Sequence, residues 1–200
     1  MKKNITKEQV IETALELMKN SNNLGGLNFR EVARTLGCAH TNLYNYFSSY
    51  NDLLWEAHAT MQEHFMMILT EQLENASTAE HRLICFFETF VNVYMDKKGW
   101  FRLAWHEYID GERPQRDIDA TEAANKMLNN YIADVWNELY GEYPARDLIK
   151  RVMHNTHCYI IGEISNHILG RGLIENETEF RTYITREAIN IFKLCILNPS

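Results

Sequence analysis

Helical periodicity runs through almost the whole of this 200-residue chain, which contains only three prolines, at positions 114, 144 and 199. Apolar side chains recur at intervals of three and four residues, the spacing of amphipathic α-helices. The sequence therefore predicts an all-α fold of about nine helices. Beyond two short helices between residues 28 and 47, we expect helices from Thr6 to about 18 and over about 51–75, 77–97, 100–109, 119–140, 145–170 and 177–197.

Capping-box spacing, in which two side chains satisfy otherwise unpaired backbone N–H groups, predicts where three of these helices begin. The pairs are Thr6 with Gln9, Asn28 with Glu31, and Ser77 with Glu80. Gly111 and Pro114 indicate a loop over residues 110–117.

Residues 28–54, NFREVARTLGCAHTNLYNYFSSYNDLL, form the most distinctive local pattern. Gly37 lies where the first short helix must end and the chain must turn, a position that favours a residue tolerating positive φ. Leu43 and Phe47 face inward on the second short helix, which leaves many hydrogen-bonding side chains outside. The pattern predicts a DNA-binding helix-turn-helix, and the alternative is a three-helix cap with a polar surface.

The charge distribution is compatible with DNA binding near the N-terminus. The whole chain has a net charge of −7, but residues 1–50 contain six Lys or Arg against four Glu. The excess of acidic side chains therefore lies entirely in residues 51–200. A slightly basic N-terminal part on an acidic remainder allows DNA binding confined to that part.

With these residues the chain resembles the TetR family of bacterial transcriptional regulators. The resemblance is specific over about residues 6–54, where Gly37, Leu43 with Tyr44, and Phe47 follow the family's spacing. It implies a homodimer with a DNA-binding domain over residues 1–50 and a helical effector-binding and dimerisation domain over residues 51–200. Such a protein would be a repressor that a small-molecule effector releases from a palindromic double-stranded DNA operator.

Three positions depart from the family's pattern: Ala39 replaces a helix-capping Ser or Thr, Tyr46 a common His, and Tyr50 a common Lys. Residues 39–54 contain no Lys or Arg, so we expect a shallow salt dependence of DNA binding, with Lys2 and Lys3 at the edge of the site. The predicted DNA contacts are Asn28, Arg30, Ala39, His40, Thr41, Asn42, Tyr44, Asn45, Tyr46 and Tyr50.

Large apolar and aromatic side chains are frequent after residue 51, and packing in the core is their default explanation. Ligand sites in helical bundles are also apolar, with a few polar groups. The predicted effector pocket comprises Met61, Phe65, Phe90, Tyr94, Trp105, Tyr131, His154 and Cys158. The acidic charge would suit a cationic or aromatic effector, although solubility explains it equally well.

His154, His157 and Cys158 have a spacing that places them on neighbouring parts of one helix face. Metal binding is one interpretation of this cluster, and packing at a helix interface is the other. A fourth ligand is not evident, so we expect no metal and no other cofactor.

The two C-terminal helices are the dimer surface that the resemblance implies, and the predicted interface residues are Val152, Tyr159, Ile160, Gly162, Ile164, Ile168, Ile184 and Ile191. The alternative is that these side chains complete the core of one protomer. An effector bound within the domain of residues 51–200 would tilt the helix at about 51–75. Through residues 51–55, this tilt would change the separation of the two DNA-binding domains of the dimer.

The sequence contains no serine elbow, P-loop, HExxH or paired-carboxylate motif, so we do not expect an enzyme. A dimeric helical module that binds other proteins remains the alternative to the regulator, because residues 39–54 lack cations. The polar N-terminus and the lack of any run of about 18 apolar residues predict a cytoplasmic protein with no membrane partner.

Overall fold

The computed structural model describes residues 5–19, 21 and 27–198. These residues form helices and no strand, which confirms the predicted all-α fold. None of the described helices has the length and apolar character needed to span a bilayer. The helices are α1 (Lys7–Lys19), α2 (Phe29–Leu36), a 3₁₀ helix (His40–Asn45), α3 (Tyr50–Glu74), α4 (Ala79–Asp96), α5 (Lys98–Trp105), α6 (Gln115–Tyr140), α7 (Arg146–Ile168) and α8 (Glu177–Leu197).

Side-chain caps fix the beginnings of α1 and α2. Thr6 Oγ1 accepts a hydrogen bond from the backbone N–H of Gln9 at 3.2 Å, while Gln9 Oε1 accepts one from the N–H of Thr6 at 3.1 Å. This reciprocal pair is the predicted capping box. At α2, Asn28 Oδ1 accepts from the N–H groups of Arg30 and Glu31 at 2.9 and 3.3 Å. Asn28 is therefore the N-cap that the sequence predicts.

The beginning of α4 differs from the prediction. Thr78, not Ser77, caps this helix, because its Oγ1 accepts a hydrogen bond from the N–H of His81 at 3.1 Å. Thr78 also supplies the first backbone acceptor, which the N–H of Arg82 reaches at 2.9 Å. The capping position is therefore one residue later than the spacing of Ser77 and Glu80 predicts.

The loop around Pro114 is shorter than predicted, because α6 begins at Gln115 and not near residue 119. The carbonyl oxygen of Pro114 accepts from the N–H groups of Asp117 and Ile118 at 3.0 and 3.2 Å, which begins the helix directly after the proline. Helix α5, by contrast, ends at residue 105, earlier than predicted. At this end the N–H groups of His106 and Glu107 both donate to Arg102 O at 2.8 Å.

The chain folds into two compact units, each built from two stretches of sequence. The first unit contains residues 1–65 and 96–122, and the second contains residues 66–95 and 123–200. This structural division differs from the boundary after residue 50, so the assignment of functional domains to residues 1–50 and 51–200 remains a prediction. The core of the first unit includes Val10, Ala14, Met18, Leu43, Leu53 and Phe101, and that of the second includes Phe86, Phe87, Ile132, Phe180 and Phe192.

Candidate functional site

A glycine turn ends α2 and directs the chain into the 3₁₀ helix. Gly37 has φ 72° and ψ 36°, as predicted for this position. Its N–H donates to Arg34 O at 3.2 Å, and the N–H of Cys38 donates to Ala33 O at 2.9 Å. These bonds satisfy the last carbonyl groups of α2 and fix the direction of the segment that follows.

The segment expected to bind DNA is a 3₁₀ helix of six residues. Ala39 precedes it and provides no side-chain cap, and i→i+3 hydrogen bonds such as Asn42 N–H to Ala39 O (3.0 Å) hold the turn. Leu43 and Phe47 anchor the segment in the core, with only 0% and 3% of their surface exposed. Six residues face solvent and form what we call the recognition face: Ala39, His40, Thr41, Asn42, Tyr44 and Asn45.

Tyr44 is held on this face by its ring while its side chain remains 56% exposed. Its ring packs edge-to-face against the buried ring of Phe29, with the ring centroids 5.1 Å apart. The tyrosine is therefore placed by α2 and is still accessible to a partner, as expected of a phosphate or base contact.

Tyr46 and Tyr50 have hydroxyl groups that are bonded or buried within the protein, and DNA contact by either residue stays a prediction. The Tyr46 hydroxyl donates a hydrogen bond to the carbonyl oxygen of Ile5, just before α1. The Tyr50 hydroxyl is buried without a hydrogen-bond partner among the described residues, and this burial raises the pKa of Tyr50 well above its usual value. The Tyr50 ring packs on Phe29 at 5.8 Å. Neither tyrosine offers its hydroxyl to a phosphate in this conformation.

The two serines that follow Phe47 also form hydrogen bonds within the protein. Asp52 Oδ2 accepts from the N–H groups of Ser48 and Ser49 at 3.0 and 3.1 Å, and from the Ser48 hydroxyl. The Ser49 hydroxyl in turn accepts from the N–H of Asp52 at 3.1 Å. The hydrogen bond from Ser48 is the main cause of the lowered pKa of Asp52. These residues form the cap of α3.

Few cationic groups lie near the recognition face. Arg30 is exposed in the first turn of α2, whereas Arg34 forms an ion pair with Glu31 and Lys7 one with Glu56. Lys2 and Lys3, predicted at the edge of the site, lie outside the described residues. The face is therefore rich in neutral hydrogen-bonding groups, in agreement with the composition of residues 39–54.

A buried polar cluster in the first unit was missed by the sequence interpretation. The Asp117 carboxylate is 0% exposed and contacts His58 Nδ1 and Arg113 Nε, each at 2.6 Å. Gln62 Nε2 reaches Thr121 Oγ1 at 2.9 Å beside this pair. Burial acts to raise the pKa of Asp117, but the hydrogen bonds and charges of His58 and Arg113 outweigh it and lower that pKa. The sequence signal for this cluster was the i, i+4 spacing of His58 with Gln62 on α3 and of Arg113 with Asp117 around the start of α6.

Three of the predicted pocket residues come together in the core of the second unit. The rings of Phe86 and Tyr131 are stacked at 5.9 Å, and Phe86 contacts Phe90 at 5.4 Å. Phe90 contacts the His157 ring at 4.8 Å, and Tyr94 stacks on the same ring at 6.3 Å. We call these five residues the aromatic cluster. The Tyr131 hydroxyl is buried without a hydrogen-bond partner among the described residues, and burial raises the pKa of Tyr131 to about 12.

The other predicted pocket residues do not join this cluster. Met61 and Phe65 are buried in the first unit, and Trp105 in the same unit is exposed at the end of α5. His154 and Cys158 are exposed on α7, with 3.6 Å between His154 Nε2 and Cys158 Sγ. These five make no contact described here with the aromatic cluster, and their part in an effector pocket stays a prediction.

The three residues considered for metal binding do not share one face of α7. His157 packs against Phe90 and Tyr94, and its burial, with the charge of His154, lowers its pKa to about 4. His154 and Cys158 face solvent instead. In the part of the chain that the structure describes, no group of three metal-ligating side chains is present.

Solved structures share this fold over nearly the whole chain. FadR from Bacillus subtilis, in complex with stearoyl-CoA, has a TM-score of 0.66 at 15% identity, covering 96% of this chain and 98% of FadR. A TetR-family regulator from Bordetella parapertussis has a TM-score of 0.65 at 14% identity and covers 92% of both chains. A TetR regulator from Rhodococcus sp. RHA1 has a TM-score of 0.62 at 16% identity and covers 96% of both. This chain has the TetR-family fold.

The likeness to TetR-family structures lies in the fold rather than in the sequence. No family model matches the chain, and no curated protein is similar to it in sequence. The recognition face follows α2 and the turn at Gly37, where the sequence predicts the second helix of a helix-turn-helix.

The predicted TetR-type dimer surface on α7 and α8 separates into two groups. Four of the residues are buried within the protomer, with 2% or less of their surface exposed: Val152, Ile160, Ile164 and Ile184. For these four the alternative interpretation applies, because such side chains have no area left to bury against a second protomer. Tyr159, Gly162, Ile168 and Ile191 retain exposed area and remain predicted interface residues.

Proposed function

We propose that this chain is a TetR-like DNA-binding transcriptional regulator, a homodimeric repressor that a small-molecule effector releases from a palindromic operator. The recognition face carries this proposal. It lies on a segment held by the buried side chains of Leu43 and Phe47. Five of its exposed side chains can form hydrogen bonds to DNA: His40, Thr41, Asn42, Tyr44 and Asn45. The proposal makes the chain a cytoplasmic binding protein rather than an enzyme.

The exposed side chains suit contacts in the major groove. Asn42 and Asn45 can each donate to and accept from adenine, and the methyl group of Thr41 can contact thymine. Tyr44 and Arg30 are placed to contact phosphates, which would set the register of the protein on the duplex. In a two-fold symmetric dimer, two such faces would bind half-sites about 34–36 Å apart.

The aromatic cluster supports an effector with a large apolar part. It lies in the second unit and includes the buried Tyr131 hydroxyl, which could bond to a polar group of a ligand that entered there. FadR from Bacillus subtilis is described as a complex with stearoyl-CoA. We therefore propose that an acyl-CoA or another ligand with a long apolar chain is the effector class.

Selection from a random pool of DNA duplexes tests DNA binding directly. The full-length protein should enrich one palindromic sequence at low salt. Asn42→Ala should bind the enriched duplex with relaxed preference at one position of each half-site. Asn130→Ala makes the same change at an exposed position of α6 and serves as the matched control. If the folded protein enriches no sequence, the regulator is refuted and the protein-interaction module is supported.

Thermal unfolding tests the effector class. Stearoyl-CoA should raise the melting temperature and coenzyme A alone should not, because only the acyl chain could pack among the apolar rings of the cluster. The same compound should then release the selected duplex. Equal shifts with both compounds, or binding of stearoyl-CoA without release of DNA, would refute an apolar effector that controls operator binding.

A further inference from the structure

The first turn of α1 is joined to α3 and α6 by one half-buried carboxylate. Glu56 on α3 is 16% exposed, and its Oε1 lies 2.6 Å from Lys7 Nζ. Its Oε2 accepts a hydrogen bond from Arg116 at the start of α6. Burial acts to raise the pKa of Glu56, but the bonds from Lys7 and Arg116 outweigh it and lower that pKa, so the carboxylate is charged at neutral pH. This three-residue bridge is the first clamp on α1.

The last turns of α1 are joined to α5 by a second clamp. The indole N–H of Trp100 donates to the carbonyl oxygen of Leu15 at 3.2 Å, in a buried position. Beside it, a Cβ atom added to Gly99 would lie 1.7 Å from the carbonyl oxygen of Met18. Only glycine therefore allows the backbones of α5 and α1 to approach this closely. The Lys97 ammonium covers the Trp100 ring at 4.0 Å.

We propose that α1 is the positioning element of the DNA-binding head, which comprises α1, α2 and the 3₁₀ helix. Two clamps hold its ends to α5 and to the start of α6, so that these parts reorient together. Glu56 and Trp100 are positioning residues, since they act through α1 and not by touching DNA. Every residue of both clamps belongs to the first unit.

The two clamps change where the head can pivot. The sequence suggested that a tilt of α3 reaches the head through residues 51–55. The first clamp, however, ties Lys7 to Glu56 and Arg116, which lie beyond that segment. The second ties Leu15 to α5, which lies 85 positions along the chain. A pivot within residues 51–55 would have to break both clamps, so the head, α5 and the start of α6 turn as one body.

Hydrogen exchange of the free, full-length protein tests the clamps without DNA. In Glu56→Gln and in Trp100→Phe, the α1 amides should exchange about 10- to 100-fold faster, the factor expected when a buried or charge-assisted hydrogen bond is lost. The amides of α7 and α8 should keep the wild-type rates, which separates loosening of α1 from a general loss of stability.

Two matched variants serve as controls. Glu63→Gln removes another α3 carboxylate that contacts Arg116, at 3.2 Å, but that shows no bond to α1 in the described part of the chain. Trp55→Phe removes an indole N–H that has no hydrogen-bond partner among the described residues. Both should leave α1 exchange unchanged. Equal acceleration in a clamp variant and its control, or none in either clamp variant, would overturn the proposal.

A second experiment rests on the proposed function and uses the palindromic duplex selected by the wild-type protein. We expect Glu56→Gln and Lys7→Met to lower several-fold the ratio of affinities for this duplex and for one with a half-site spacing longer by one base pair. Lys7→Arg should restore the ratio, because it keeps the cation opposite Glu56. An unchanged ratio in the clamp variants would contradict a positioning role. If no duplex is selected, the proposed function fails while hydrogen exchange still decides whether α1 is clamped.

Discussion

Replacing Asp117 by alanine tests the energetics of the buried polar cluster. The wild-type carboxylate is fully buried and accepts hydrogen bonds from Arg113 Nε and the His58 ring, each at 2.6 Å. Removing one partner of a buried charge pair costs about 3–5 kcal/mol. Because the Arg113 side chain is 40% exposed, water can rehydrate part of the guanidinium group. The expected loss in the free energy of unfolding at pH 7 is therefore about 2–4 kcal/mol.

The pH dependence of this loss has a definite sign. The pKa of Asp117 is lower in the folded protein than its ordinary value, so the folded state favours the ionised carboxylate. Its stabilisation is complete above about pH 4, the ordinary range of an aspartate, and is lost as the pH falls through the lowered pKa. The difference between wild type and Asp117→Ala should thus shrink as the pH falls below about 4.

Urea unfolding followed by tryptophan fluorescence can measure both effects. Three of the four tryptophans, Trp55, Trp100 and Trp105, belong to the same unit as Asp117. Asp119→Ala is the matched control, because Asp119 is exposed and its carboxylate bonds only to Gln115 among the described residues. It should change stability by less than about 0.5 kcal/mol. A loss at pH 7 below that size in Asp117→Ala, or one that grows as the pH falls below about 4, would refute the reasoning.

Three further predictions concern the DNA-binding head. Gly37→Ala should lower the free energy of unfolding by about 1–2 kcal/mol in thermal unfolding, because φ is 72° and nothing described lies within 4 Å of the new Cβ. Asn42→Ala should reduce discrimination at one base pair of each half-site by about 1–3 kcal/mol in competition binding, and unchanged discrimination would remove Asn42 from the recognition set. Operator affinity should fall only shallowly with salt, since residues 39–54 contain no Lys or Arg; a logarithmic slope near −10 would contradict this.

The helices were largely predictable because their signals are local. The periodicity of α8 and the capping box at Thr6 and Gln9 gave bounds close to those in the structure. The start of α6 was misplaced because Pro114 was interpreted as part of a loop, although a proline just before a helix supplies a carbonyl acceptor and needs no N–H partner.

The candidate site was predictable only where it depends on neighbouring residues. Exposure of Asn42 and Asn45 follows from the burial of Leu43 within the same turn. The inward hydroxyl of Tyr46 depends on Ile5, which lies 41 positions away, and no periodicity encodes such a contact. The buried Tyr50 hydroxyl was missed for the same reason, since burial is set by the tertiary fold.

The hydrogen bond between the Tyr46 hydroxyl and the Ile5 carbonyl has a consequence for measurements of DNA binding. It fastens the chain ahead of α1 beside the segment that would enter the DNA groove. Any affinity tag fused ahead of Ile5 would therefore be tethered within a few residues of the DNA. A tag that contains Lys or Arg would add cationic groups beside the recognition face, and would steepen the measured salt dependence for reasons unrelated to the native chain. Binding measurements should use protein from which such a tag has been cleaved.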